Sequence, residues 1–235
     1  MNMENLGKFY INGAWIAPKS SLAMPVLNPA TELQIGSVAL GSAADVDTAV
    51  AAANLAFVSY SQTSKADRLV LLHRLMAVTQ SRFEDLAQAM SMEMGAPISM
   101  AREAHADAAV GHLQGFIDAL EKMQERKKLA SGDIQLREAI GVCGLITPWN
   151  WPMNQIALKV IPALATGCTC VLKPSEHTPI SAMIYAEIIH EAGFPAGVFN
   201  LVQGDGPTVG AAMSRHPNIQ MMSFTGSTRA GTAVT

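Results

Sequence analysis

From residue 140 onward the chain alternates short apolar runs with longer helical stretches, and this pattern restricts the fold more than any other feature. The apolar runs cover 140–147, 169–172, 198–202 and 219–224, with helical periodicity at 153–166, 179–192 and 207–214 between them. No hairpin turn joins one run to the next, so each must reach its neighbour through a crossover helix. That predicts an α/β fold, a Rossmann-like parallel sheet with flanking helices. In such sheets the crossovers are right-handed and ligands sit outside the carboxyl ends of the strands. Functional residues are therefore expected just after each run.

The chain before residue 140 follows different periods. In "KFYINGAWI", Asn12-Gly13 separates two apolar pieces, the pair favoured by a two-residue type I′ turn, so residues 8–16 are expected to form a β-hairpin. A helix is expected to start at Ser42 as N-cap, with Asp45 and Asp47 near its positive end. A second should run from Ser64 to Met94 with a break near Thr79–Ser81, stopping at Gly95 and Pro97, and a third from Ser99 to Arg126. The polar stretch "EKMQERKKLASGD", 121–133, lacks hydrophobic periodicity and reads as a connection. Three parts result: 1–120, hairpin and helices; 121–139, a connecting segment; and 140–235, the portion of alternating strands and helices.

Composition narrows the partners. The chain has 235 residues, 49% hydrophobic and 15% charged, enough for a substantial core. A net charge of −3 supplies no field for nucleic acid or an anionic membrane, which leaves small molecules as ligands. The opening "MNMENLGKFY" has no apolar signal region and no run is long enough to span a bilayer, so a cytoplasmic protein is expected. Cys143, Cys168 and Cys170 are odd in number and sit in apolar context, which predicts free core thiols. His105 and His112, seven apart on a helix, read as packing or surface residues, and no metal site is expected.

Each run gives way to a polar turn rich in Gly or Pro: Thr147-Pro148-Trp149-Asn150, Lys173-Pro174-Ser175-Glu176, Gly204-Asp205-Gly206-Pro207 and Thr225-Gly226-Ser227. Glycines allow backbone to approach a ligand, and helix N-termini near Pro207 and Ser227 offer N–H groups to a pyrophosphate. Glu176 stands where a carboxylate would grip ribose hydroxyls. "GDGPTVG" and "GSTRAG" both miss the G-x-G-x-x-G spacing, so only the four turns together argue for a dinucleotide.

The stretches "ITPWNWP", "CVLKPSEHTP", "VFNLVQGDGPTVG" and "MMSFTGSTRAG", with "FYINGAW" and "NPATELQIGSV" earlier, resemble the NAD(P)-dependent aldehyde dehydrogenase superfamily over essentially the whole chain. The resemblance implies NAD as cofactor, with NADP used more weakly. It implies that Ile146, Thr147, Pro148 and Trp149 line the cofactor and that Lys173 and Glu176, beside Ser175, hold the adenosine ribose. Gly206 and Pro207 would flank the adenine, and Phe224, Thr225, Gly226 and Ser227 would approach the nicotinamide and pyrophosphate. Asn150 would be the catalytic residue present, stabilising the oxyanion formed when a cysteine thiolate attacks the aldehyde.

The implied reaction is NAD-dependent oxidation of an aldehyde to a carboxylic acid through a cysteine thiohemiacetal, in a homo-oligomer to whose contact 121–139 would contribute, with 140–235 as the NAD-binding portion. A CoA-acylating or phosphate-reducing relative, or a non-catalytic cofactor-binding fragment, is the alternative. The family's nucleophilic cysteine and general-base glutamate are expected beyond Thr235, so the 235 residues alone are expected to be inactive. A partial sheet is also expected to leave one strand edge unpaired.

Overall fold

The computed structural model describes residues 4–235; Met1–Met3, part of the stretch searched for a signal peptide, lie outside the described residues. β1 (Phe9–Ile11) and β2 (Ala14–Ile16) form the expected hairpin, pairing Phe9 with Ile16 and Tyr10 with Trp15. Its turn residues Asn12 and Gly13 have φ of 54° and 77°, the positive values a type I′ turn demands. β3 (Ala23–Leu27) and β4 (Gln34–Ala39) add a separate antiparallel ribbon that the sequence patterns do not announce.

Helix α1 (Ala43–Tyr60) begins at Ser42, whose N–H and hydroxyl both donate to the Asp45 carboxylate, at 2.8 and 2.7 Å. α2 (Lys65–Ser81) repeats the device with Ser64 and Asp67. Arg82 separates it from α3 (Phe83–Met94), so the expected break falls one residue past Thr79–Ser81. The third helical region comprises α4 (Ile98–Met100), a π turn at Ala101–Ala106 and α5 (Asp107–Lys122).

This region ends at Lys122 rather than Arg126. The stretch read as a bare connection instead contains an antiparallel ribbon, β5 (Arg126–Lys128) with β6 (Ile134–Leu136). All six of its strand residues are exposed, so no buried face imposes an alternation on the sequence.

The portion from residue 140 onward contains β7 (Val142–Ile146), α6 (Pro152–Ala165), β8 (Thr169–Lys173), α7 (Pro179–Glu191), β9 (Phe199–Leu201), a π turn at Gly206–Gly210, α8 (Ala211–Arg215), β10 (Met221–Phe224) and α9 (Thr228–Val234). β10, β7, β8 and β9 are mutually parallel, and the N-terminal hairpin joins them through an antiparallel β9–β1 contact. The sheet is therefore mixed, in the order β10-β7-β8-β9-β1-β2.

Side chains alternate between its faces. Cys143, Leu145, Cys170 and Leu172 join the core with α2, α3, α5, α6 and α7, while Val142, Ile146 and Val171 pack with α1 and α8. Burial on both faces explains why these strands read as unbroken apolar runs. The chain leaves β7 toward β8 and β9, then returns to the other side of β7 as β10. The sheet's topological switch point thus lies between β7 and β10, and β10 forms an edge. Among the described residues no helix is long and apolar enough to cross a membrane, and no cluster of three or more His, Cys, Asp or Glu could hold a metal.

Candidate cofactor and active site

The carboxyl ends of β7, β8 and β9 are tied together around Lys173. Its Nζ donates to the carbonyls of Gly204 at 2.6 Å and Pro174 at 2.9 Å, and lies 3.3 Å from Glu176 Oε2. Lys173 is buried, whereas Glu176 keeps part of its side chain in solvent. Burial lowers the basicity of Lys173, and the Glu176 and Asp205 carboxylates oppose that fall. Thr147 N–H donates to Lys173 O at 3.2 Å, fixing β7's exit beside it. Gly210 brings its backbone against Ile146 and the Lys173 stem. Ser175 is buried, and its Oγ accepts from His177 N–H at 3.3 Å.

The turn at Gly206 corrects one expectation. Asp205 Oδ1 accepts the Thr208 N–H at 2.7 Å, so this helical N-terminus already holds an acidic acceptor, and its charge opposes a phosphate there. Gly206 and Pro207 remain exposed at the edge of the crevice. Ser227 Oγ likewise accepts its own helix's Ala230 N–H, at 3.2 Å.

On the other side of the switch point, β10 pairs Phe224 with Ile146, and Thr225 N–H donates to Ile146 O at 3.1 Å. Pro148, Trp149, Asn150, Thr225, Gly226 and Ser227 line a shallow hollow of about 250 Å³ there. The Phe224 ring folds over Gly226 so closely that a Cβ would sit 2.5 Å from its Cζ, so a larger residue there would have to displace the ring. Thr147 is buried and, among the described residues, its hydroxyl has no protein partner.

Asn150 is exposed, and among the described residues its amide makes no hydrogen bond. The N-cap of α6 is Trp151, so Asn150 is not a helix cap. Trp149 is 54% exposed and offers little support, so an aromatic grip on Asn150 can come from Trp151 alone. Of the residues expected at the site, Pro148, Trp149, Asn150, Thr225, Gly226 and Ser227 share one hollow. Lys173 and Glu176 form a separate pair at the exit of β8, at the carboxyl-end side of the sheet where open α/β folds take ligands.

The three cysteines lie elsewhere. All are buried and free, and Cys143 and Cys168 line a cavity with Ile140 and Leu158 near the amino ends of their strands. Three residues of strand, about 10 Å, separate Cys143 from Ile146 at the crevice. A hydrogen bond to Cys168, then burial, raises the Cys143 thiol; burial raises that of Cys170.

Two residues near the site escape the sequence patterns. Glu93 of α3 is buried and accepts from Ile180 N–H at 2.5 Å and Ser181 N–H at 2.9 Å, capping α7 from a distant element. Burial pushes it up to about 7, outweighing those hydrogen bonds. Its one sequence signal is a lone acid amid "AMSMEMG". His105, read as a packing or surface residue, is buried with its ring stacked on Trp151, while His112 Nε2 lies 2.7 Å from Asn154 Oδ1.

The profile of the Aldehyde dehydrogenase family matches residues 15–235, and the chain belongs to that family. It is 49% identical over 233 residues to a 3-succinoylsemialdehyde-pyridine dehydrogenase from a Pseudomonas species, covering 99% of this chain and 49% of that protein. Among solved structures, a mutant of aldehyde dehydrogenase C from Pseudomonas syringae, complexed with NAD+ and octanal, superposes with a TM-score of 0.97 at 51% identity, over 99% of this chain and 48% of that one. An aldehyde dehydrogenase from Bartonella henselae gives 0.95 at 49% identity, over 97% and 48%. The chain spans about half the length of the relatives it matches.

Proposed function

We propose that this chain provides the NAD site and the oxyanion donor of an enzyme that oxidises an aldehyde to a carboxylic acid. The observation that carries this reading is Asn150, an amide free of structural hydrogen bonds at the switch-point crevice. An asparagine with no cap to form and no partner to satisfy is available to a ligand. Its side-chain N–H would donate to the aldehyde oxygen as that oxygen gains negative charge, and a neutral donor does so without fixing a charge beside the attacking thiolate.

The cofactor fits the residues present. The orphaned Thr147 hydroxyl requires a polar partner, and Lys173 with Glu176 offers a donor and an acceptor to adjacent ribose hydroxyls. Ile146 and Phe224 give apolar surface to a planar ring, with Pro148, Trp149, Thr225, Gly226 and Ser227 around it and Ser175, Gly206 and Pro207 at the far edge. Bound NAD would supply the hydride acceptor. Glu176 favours NAD because its carboxylate would repel the additional phosphate of NADP, with Lys173 moderating the repulsion.

The three thiols are buried away from Asn150, so the attacking cysteine is none of them and these 235 residues by themselves would not turn over aldehyde. Free thiols agree with a reducing cytoplasm. Exposed Leu129, Ile134, Leu136 and Ile140 on and beside the β5–β6 ribbon support an oligomer contact at 121–139.

The test is NADH formation by the protein as its host makes it, with octanal and with carboxylate- and pyridine-bearing aldehydes, alongside calorimetric NAD titration. NADH formation supports the reading. NAD binding with no turnover of any aldehyde would leave a cofactor-binding protein and remove the oxidation.

A further inference from the structure

Ahead of α5 the helix widens into a π turn at Ala101–Ala106, and the additional residue in such a turn changes which side chains face inward. His105, near its end, is 1% exposed, and its ring stacks on Trp151 with centroids 4.1 Å apart and planes at 27°. Among the described residues neither ring nitrogen has a protein hydrogen-bond partner. With no protein group bonding its nitrogens, the contact that the structure gives this ring is its flat face against Trp151.

Trp151 is the residue after Asn150 and the N-cap of α6, and it has no side-chain capping bond. Asn150 has no side-chain tether, and Trp149 on its other side is exposed. The direction in which Asn150 projects therefore depends on how firmly Trp151 is seated. The ring that seats it comes from the π turn ahead of α5, 46 residues earlier in the chain.

We propose that His105 is a positioning residue for the chemistry at Asn150: by stacking on Trp151 it fixes the backbone from which Asn150 presents its amide. This rests on the oxyanion role of Asn150. Burial also holds the imidazole below its ordinary pKa, which keeps the stacked ring neutral.

The experiment compares His105→Leu, His105→Phe and Trp151→Leu in the protein as its host makes it. A lost aromatic stack predicts a fall in kcat of about 3- to 10-fold for His105→Leu, with the Kd for NAD unchanged. His105→Phe, which keeps a flat ring, recovers most of the loss. Trp151→Leu reduces kcat to a similar extent, and adding His105→Leu to it costs little more. Tryptophan fluorescence reads the stack without turnover: removing the imidazole changes the emission of the parent but not of the Trp151→Leu background.

An active parent whose His105→Leu variant keeps its kcat overturns the inference and leaves the oxidation reading intact. A Phe variant as slow as the Leu variant overturns it by assigning the effect to the ring nitrogens. If His105→Leu does not fold, the His105→Phe and Trp151→Leu pair still decides, because positioning requires the first to be fast and the second slow. A parent that oxidises no aldehyde removes the oxidation reading and this role together.

Discussion

Lys173 and Asn150 stand at the exits of neighbouring strands and are held in opposite ways. Lys173 is buried, bonded to two carbonyls and paired with Glu176, and its hydrogen bonds join the turns after β8 and β9. Asn150 is exposed and unbonded on a rim it shares with Gly226 and Ser227. A side chain whose bonds are satisfied within the protein contributes to stability and presents a preformed surface. One without such bonds contributes little to stability and keeps its full donor capacity for whatever arrives. Substitutions at the two positions should therefore separate folding from turnover.

The largest effect is expected from Asn150→Ala. Losing one oxyanion donor should lower kcat by roughly 100- to 1000-fold, about 2.7–4 kcal/mol, while stability to denaturant moves by less than about 0.5 kcal/mol. Parallel kinetics and urea melts check both halves. A large stability loss with intact turnover would reverse the comparison.

Next comes Glu93, which supports the bonded wall by capping α7. Its folded pKa of about 7 lies above an ordinary glutamate value of about 4.3. Between those values the folded chain holds a proton that the unfolded chain releases, so this contribution is fully present below about pH 4.3. It is lost as pH rises through about 7, by up to roughly 3–4 kcal/mol. Melts at about pH 5 and about pH 8 should show that fall in the parent, and Glu93→Gln should flatten it. An unchanged slope in the variant would place the titration elsewhere.

Lys173→Met should destabilise by about 2 kcal/mol, because it strips the donor from two backbone carbonyls, and should also weaken NAD binding. Denaturation and calorimetric titration of one preparation test the two losses together. Lowered NAD affinity at unchanged stability would mean that the bonded wall is not structural.

The smallest change is expected from Glu176→Ser, which should narrow the preference for NAD over NADP from roughly ten- to a hundredfold toward parity. Titrating both cofactors decides it, and an unchanged ratio would detach Glu176 from the ribose.

Legibility in the sequence followed burial. β7 and β8 are covered on both faces and stand out as apolar runs, and Asn12-Gly13 marks its turn through local backbone preference alone. The turns after the strands, and so the location of the crevice, followed from those runs. The β5–β6 ribbon left no trace because every strand residue is exposed, and α7's cap was hidden because its acid lies 87 residues before Ile180. That His105 packs was readable, but what it packs against escaped for a related reason. Its partner is remote, and a π turn shifts the helical register on which any facing argument depends. Asp205 was legible as a residue but not as an occupant, since capping depends on a φ/ψ state that composition does not reveal.

The hairpin at the far edge of the sheet has a bearing on how the chain is made. β1 is seated by pairing with β9 and by Asn12 N–H donating to Asn200 Oδ1, two residues 188 apart. At roughly 5–20 residues per second, the ribosome delivers that partner on the order of 10–40 s after the hairpin. During this interval Phe9, Tyr10 and Ile11, all buried in the finished protein, have no sheet to cover them. Seating the hairpin is thus a long-range closure that cannot precede synthesis of β9, and a nascent chain stalled before Asn200 would carry its first strand as a sticky end open to chaperones or to other copies.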